Sequence, residues 1–222
     1  MAGKRNVVFF DLDGTLTDPA EGITNCVAYA LREMGRAIPE RKALYRFIGP
    51  PLVYGFREWF GMSEEETLTA TEKYRERFRG TGIFENKIYG GVKDMLKQLR
   101  SAGLRIYMAT SKPTEFARRI AEHFGIDGYF EDIVGSGMND HENGGKGVII
   151  ARALAVSGAG REDVVMVGDR RYDAEGARQN GVAFIGVSYG YAEPGELEAA
   201  GAETVCATVD ELRKLLLEGD AG

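Results

Sequence analysis

Two aspartates, Asp11 and Asp13, stand directly after an unbroken apolar run, VVFF, and Gly14 follows them. Further along, Thr110 and Ser111 follow the apolar run LRIYMA, Lys146 follows a glycine-rich stretch, and Asp169 and Asp173 sit in GDRRYD after VVMV. Carboxylates gathered in a low-dielectric crevice repel one another unless a cation or a shared proton separates their charges. Hard oxygen donors, with no histidine or cysteine among them, suit Mg2+, whose octahedral shell is completed by water and substrate phosphate. Lys146, at the expected start of a helix, adds an ammonium and a helix dipole, both favouring an anion. A phosphoryl group fits this set, with the Thr110 hydroxyl and nearby backbone amides to grip its oxygens. One carboxylate is then free to attack phosphorus and another to handle the leaving-group proton. Asp11, nearest the strand and most rigidly held, is the better nucleophile.

These residues lie in four separate segments, so the fold must bring them together. VVFF reads as a strand buried on both faces of a parallel sheet. Asp18, Pro19 and Glu21 then read as N-cap, first-turn proline and capping-box acid of a helix that Gly35 stops. Further helices are expected over 39–48 and 52–60, and a third, opened by the pair Ser63 and Glu66, runs to Gly80. From Gly90 the pattern alternates. Strands are expected over 104–109, 133–134, 164–167 and 183–187, and helices over 92–99, 114–124, 146–154, 174–180 and 197–200. Thr208 and Glu211 cap a final helix. Repeated strand and helix units predict an α/β fold, a doubly wound parallel sheet with a Rossmann-like core. Ligands of such sheets bind outside the carboxyl ends of the strands, where the polar residues fall. The expected organisation is a core of residues 1–17 and 88–222 with an inserted all-helical cap domain over 18–87.

Composition narrows the partners. The 222 residues are 44% hydrophobic, ample for a buried core. Acidic residues outnumber basic ones 34 to 28, giving a net charge of -6. Nothing in that balance draws nucleic acid or an anionic membrane surface, so an anionic substrate must be attracted locally. Cys26 and Cys206 lack a partner motif and the N-terminus lacks a signal-peptide run, so a reducing cytoplasm is expected.

DLDGT, the strand ending in Thr110, Lys146 and GDRRYD resemble, in order, the four motifs of the haloacid dehalogenase superfamily of phosphatases. The helical insert is similar to that superfamily's first type of cap. GPPL and GVSYGYAEPGELEAAGAE are similar to its phosphoglycolate phosphatase branch, which includes nucleotidases. The resemblance implies a magnesium-dependent phosphomonoesterase acting on a small phosphate ester, as a monomer or homodimer. It implies that Asp11 becomes an aspartyl phosphate and that Asp13 protonates the leaving alcohol and later activates water. Thr110, Ser111 and Lys146 would hold the phosphoryl group. Asp11, the backbone carbonyl of Asp13, and Asp169 would bind Mg2+, with Asp173 a ligand or its support. Retention of Asp13 argues for phosphate ester chemistry, which a sugar phosphomutase shares. A phosphate-binding domain without turnover is a third reading. HENGGKG departs from many relatives around the lysine, and Gly90-Gly91 stands where relatives often carry proline and glycine.

Other residues read as structural: His123 and His141 without partner spacing, the cysteines as small buried hydrophobes, and Phe56, Trp59 and Phe60 as a cap core. Lys112 reads as a solvated charge that also stands within reach of substrate. Arg170 and Arg171 read as solvent-facing or paired with nearby acids. Gly49, Pro50 and Pro51 form a helix break suited to shaping specificity.

Overall fold

A computed structural model describes residues 5–138 and 145–218. Six parallel strands form one sheet in the order β5-β4-β1-β6-β7-β8. They are β1 (Val7–Phe10), β4 (Arg105–Pro113), β5 (Asp132–Ser136), β6 (Val164–Gly168), β7 (Ala183–Val187) and β8 (Val205–Cys206). Alternate side chains enter different cores, as the pleat requires. Val8, Phe10, Ile106, Met108, Val165 and Val167 pack with α4 (Val92–Ser101), α5 (Thr114–Phe124) and α9 (Val209–Glu218). Val7, Phe9, Tyr107, Ala109, Val164 and Met166 pack on the opposite face with α6 (Lys146–Ser157) and α7 (Arg171–Asn180). The doubly wound sheet is therefore as expected. The two-residue β8 was not foreseen, being too short to show a period.

Between β1 and α4 the chain makes the helical excursion. Its elements are α1 (Ala20–Glu33), a 3-10 segment Arg41–Phe47, α2 (Leu52–Phe60), α3 (Glu64–Arg77) and a wide turn Phe78–Gly82. A two-stranded antiparallel ribbon, β2 (Thr17–Asp18) with β3 (Lys87–Ile88), joins its ends. This ribbon lies at the two ends of the insert, outside its helical stretch, and was not foreseen. Two residues per strand give no readable alternation, and the pairing exists only because both crossings lie side by side. The helix expected over 39–48 is 3-10 instead, because Gly49-Pro50-Pro51 cuts the segment short before a regular helix can propagate.

The caps divide. Ser63 and Glu66 form the reciprocal box. Glu211 donates its N–H to Thr208 Oγ1, while its carboxylate accepts from Ala207 N–H, one residue before the expected partner. At α1 the box expected of Asp18 and Glu21 does not form. Pro19 is the N-cap, and Asp18 accepts from Ala20 N–H and from the Tyr191 hydroxyl, so tertiary contact claims the side chain. The apolar core continues from the sheet into the excursion through Leu44, Phe47, Phe56, Tyr74 and Phe78. Both cysteines are buried and unpaired, as expected. His123 packs against Phe84 and Phe124, whereas His141 lies outside the described residues. Among the described residues no helix is long and apolar enough to cross a membrane.

Candidate active site

The polar residues gather at the carboxyl ends of three neighbouring strands, β4, β1 and β6. Asp11 continues the β1 ladder by donating its N–H to the Val167 carbonyl at 2.9 Å. The chain then folds back tightly, the N–H groups of Leu16 and Thr17 both donating to the Leu12 carbonyl. Gly14 makes this possible with φ of 86°, and a Cβ there would lie 2.0 Å from Asp169 Oδ2. A side chain at Gly190 would also strike Asp169, at 2.4 Å. Backbone thus closes around this carboxylate from two sides, and Tyr191 N–H donates to it at 2.8 Å.

Asp11, Asp169 and Asp173 are all buried, and each offers an oxygen within 4.8 Å of the others. Lys146 Nζ pairs with Asp11 Oδ1 at 2.8 Å and Asp173 Oδ1 at 2.7 Å, and donates to the Ala109 carbonyl at 3.2 Å. One ammonium thereby joins β1, α7 and β4. Burial raises the Asp169 carboxyl well above the usual carboxylate range, and the charges of Asp173 and Asp11 push the same way. Asp173 is raised to about 6 by burial, against the pull of Lys146. Burial works against the Lys146 charge, yet Asp11 and Asp173 hold its pKa above the ordinary lysine value. When all three carboxylates ionise beside the one ammonium, they carry an excess of two negative charges. Asp169 Oδ1 is buried with no hydrogen-bond partner among the described residues. A divalent cation suits both the excess charge and the unpartnered oxygen.

Asp13 stands apart from this cluster. Its Oδ2 pairs with Lys112 Nζ at 2.7 Å, and burial raises its carboxyl while Lys112 opposes the shift. Asp13 and Lys112 line a cavity of about 100 Å³ with Thr71, Arg75, Ser111 and Pro50. The β4–β5 register shifts between Ala109 and Pro113, so the Thr110–Lys112 stretch departs from the regular ladder, and such irregularities re-aim side chains beside sites. Thr110 is buried and accepts from Lys112 N–H at 3.3 Å, which leaves its hydroxyl proton for another acceptor. The structure therefore brings Asp11, Asp13, Lys146, Asp169 and Asp173 to one strand edge, with Thr110 on the adjoining strand where its regular ladder ends.

Lys112 departs from the solvated charge expected of it, and of the two states expected for Arg170 the structure has the one paired with an acid. Lys112 is buried on Asp13 with its ammonium over the Phe78 ring. Arg170 is buried rather than solvent-facing, paired with Glu196 and bonded to the Ile48 carbonyl. Spacing was the available signal for Lys112, which lies two residues beyond Thr110. For Arg170 no local signal exists, because both partners are distant in sequence.

Comparison with known proteins agrees with this arrangement. The model of the family described as haloacid dehalogenase-like hydrolase matches residues 8–187. The chain is 44% identical over 209 residues to a 5'-nucleotidase of Pseudomonas aeruginosa, covering 94% of each. It is 39% identical over 213 residues to tyrosine-protein kinase PtkA of Mycobacterium tuberculosis, covering 95% of this chain and 72% of that one. Phosphoglycolate phosphatase 1 of Pseudomonas aeruginosa is 30% identical over 217 residues, covering 95% and 78%. The crystal structure of a predicted phosphatase from Clostridium acetobutylicum, 42% identical, superposes with a TM-score of 0.94 over 97% of this chain and 100% of that one. The chain belongs to the haloacid dehalogenase-like hydrolase family.

Proposed function

We propose that this hydrolase is a magnesium-dependent phosphomonoesterase for a small phosphorylated metabolite, of the phosphoglycolate or nucleoside 5'-monophosphate kind, working through an aspartyl phosphate. The observation that carries the reading is the separation of roles between two buried aspartates. Asp11 faces Lys146 and the acidic cluster, whereas Asp13, two residues on, faces Lys112 and the cavity.

Asp11, Asp169, Asp173 and the Asp13 backbone carbonyl would hold Mg2+, which when bound neutralises phosphoryl oxygens and so lets an anionic nucleophile approach. An Asp11 carboxylate oxygen attacks phosphorus, and the phosphorus–oxygen bond to the leaving alcohol breaks. Asp13, protonated, gives its proton to that alcohol. Asp13, now ionised, takes a proton from water as the water oxygen attacks phosphorus, and Asp11 departs as the free carboxylate. Lys146 pairs with Asp11 at 2.8 Å and so holds the nucleophile in place, and the Thr110 and Ser111 region takes phosphoryl oxygens. Asp173 spends one oxygen on Lys146 and the other on Arg170 N–H, which favours a part in holding the lysine as well as the cation. Residues 18–87 act as a helical cap over the site, turning at the β2–β3 ribbon near Thr17 and Gly90 to exclude water from the first step.

The name of the kinase relative favours a second reading, in which a hydroxyl instead of water accepts the phosphoryl group. A sugar phosphomutase is the corresponding reading for a sugar hydroxyl. Phosphate release from a panel of phosphomonoesters, with Mg2+ and with chelator, beside Asp11→Asn, separates these readings. Mg2+-dependent release that vanishes in the variant supports the phosphatase. Isomerised ester with little free phosphate supports the mutase, and phosphate transferred to tyrosine hydroxyls of an added protein, stable where an acyl phosphate hydrolyses, supports the kinase. Near-normal turnover of Asp11→Asn removes Asp11 as nucleophile.

A further inference from the structure

We infer that Arg170 is a positioning residue tying the acidic cluster to the loop that walls the pocket, so that it governs which group esterified to phosphate is accepted. The inference rests on the phosphatase reading. Arg170 directly follows Asp169, and its N–H donates to Asp173 Oδ2 at 3.1 Å, so its backbone is part of the cluster. Its side chain is 10% exposed and leads away from the cluster. Nη1 donates to the Ile48 carbonyl at 2.6 Å, 122 residues away in sequence, and Nε donates to Glu196 Oε1 at 2.9 Å. That same Glu196 oxygen accepts from Arg171 N–H at 2.9 Å, which fixes it on the α7 start.

A guanidinium presents its donors in one rigid plane, so two satisfied directions specify where the Ile48 carbonyl must stand. Ile48 leads directly into Gly49, Pro50, Pro51 and Leu52, which line the cavity opposite Lys112 and Ser111. Gly49 has φ of 104°, and a Cβ there would lie 3.1 Å from Arg170 Cγ, so the loop packs against the arginine stem as well as its head. The two prolines fix their own φ angles, which makes the segment stiff enough to carry the constraint to the pocket. Lysine keeps the charge but lacks the planar fork that holds two donors at a fixed spacing, so it holds the Ile48 carbonyl less firmly.

Hydrogen exchange on the full, substrate-free chain tests the tie without any activity. R170M should speed exchange over residues 44–56 by about fivefold or more while 92–101 is unchanged, with R170K between. Unchanged exchange over 44–56 overturns the inference. With Mg2+ and the preferred ester, R170M should raise KM by about tenfold while kcat falls less than about threefold, and R170K should recover part of the KM. A fall in kcat at constant KM overturns it, as does loss of Mg2+ binding by the substrate-free variant in calorimetry. Either would confine Arg170 to shaping the cluster. Should R170M fail to fold, E196Q removes the charge that aligns the guanidinium and is read by the same exchange, with the same outcomes. A wild-type chain that releases phosphate from no ester defeats the phosphatase reading, and the exchange result then decides the Arg170 tie alone.

Discussion

Lys112 Nζ lies 2.7 Å from Asp13 Oδ2, and both side chains are nearly buried. This pair, not the acidic cluster, borders the cavity. Removing the ammonium leaves a buried carboxylate without its counter-ion, and the carboxyl then takes up a proton and holds it. Lys112→Met is expected to lower turnover by about tenfold to a hundredfold, because Asp13 no longer cycles between acid and base. Lys112→Arg, which keeps the charge, should retain more activity. Phosphate release by the three proteins measures this, and equal rates would detach Lys112 from the chemistry.

Asp169 gives a stability prediction with the opposite sign to its effect on activity. Its carboxyl is raised by burial and by Asp173 and Asp11, so the native state binds a proton more tightly than the unfolded chain. Stability in metal-free buffer therefore falls as pH rises from the ordinary carboxylate range toward the raised value. Asp169→Asn keeps an oxygen for Tyr191 N–H and removes this cost. At neutral pH without metal it should melt about 2–6 °C above the parent, with the gap closing below about pH 4. Mg2+ at a hundred times its dissociation constant should stabilise the parent by about 2.7 kcal/mol and the variant hardly at all. Thermal melts across pH, with Mg2+ and with chelator, check both signs.

The sequence made the strands and the site acids legible for the same reason. A strand buried on both faces is a short apolar run, and Asp11 and Asp169 stand at the ends of two such runs, β1 and β6. Asp13 and Thr110 were legible by their place next to them. What escaped was decided by tertiary neighbours. Asp18 looks like a helix cap locally, yet Tyr191 competes for its side chain. The β2–β3 ribbon has no pattern of its own, and Arg170 meets Ile48 only after the whole chain has folded. Lys112 is buried because the irregularity in β4 places it over Phe78 and against Asp13, which its polar neighbours in sequence do not reveal.

Close packing of α6 on α7 sets the position of Lys146. A Cβ added at Gly176 would lie 2.9 Å from both the Gly147 nitrogen and the Lys146 carbonyl carbon, and 3.0 Å from Lys146 Cγ. Backbone atoms cannot give way as a side chain can, so Gly176→Ala must push the helices apart. We expect a loss of about 1–3 kcal/mol in denaturant unfolding. Turnover should fall further than stability alone explains, because Lys146 moves off Asp11. Full activity in a folded Gly176→Ala protein would show that the lysine tolerates the shift.

In the proposed mechanism Asp13 is the place where acid chemistry separates from binding. Asparagine at this position keeps the size of the side chain and a hydrogen bond to Lys112, but has no proton to give. An alkyl phosphate needs that proton, since its alkoxide is a poor leaving group, whereas an activated aryl phosphate departs as a stable phenolate. Asp13→Asn should therefore slow the alkyl ester by about a hundredfold to ten-thousandfold and the aryl ester much less in the first step. The proposed second step, in which Asp13 would take a proton from water, is common to both esters. Burst kinetics isolates the first step by following release of the phenol before phosphate. A burst of phenol followed by slow phosphate release in Asp13→Asn, with no burst from the alkyl ester, is the expected pattern. Equal losses on both esters in the burst phase would remove Asp13 as the acid.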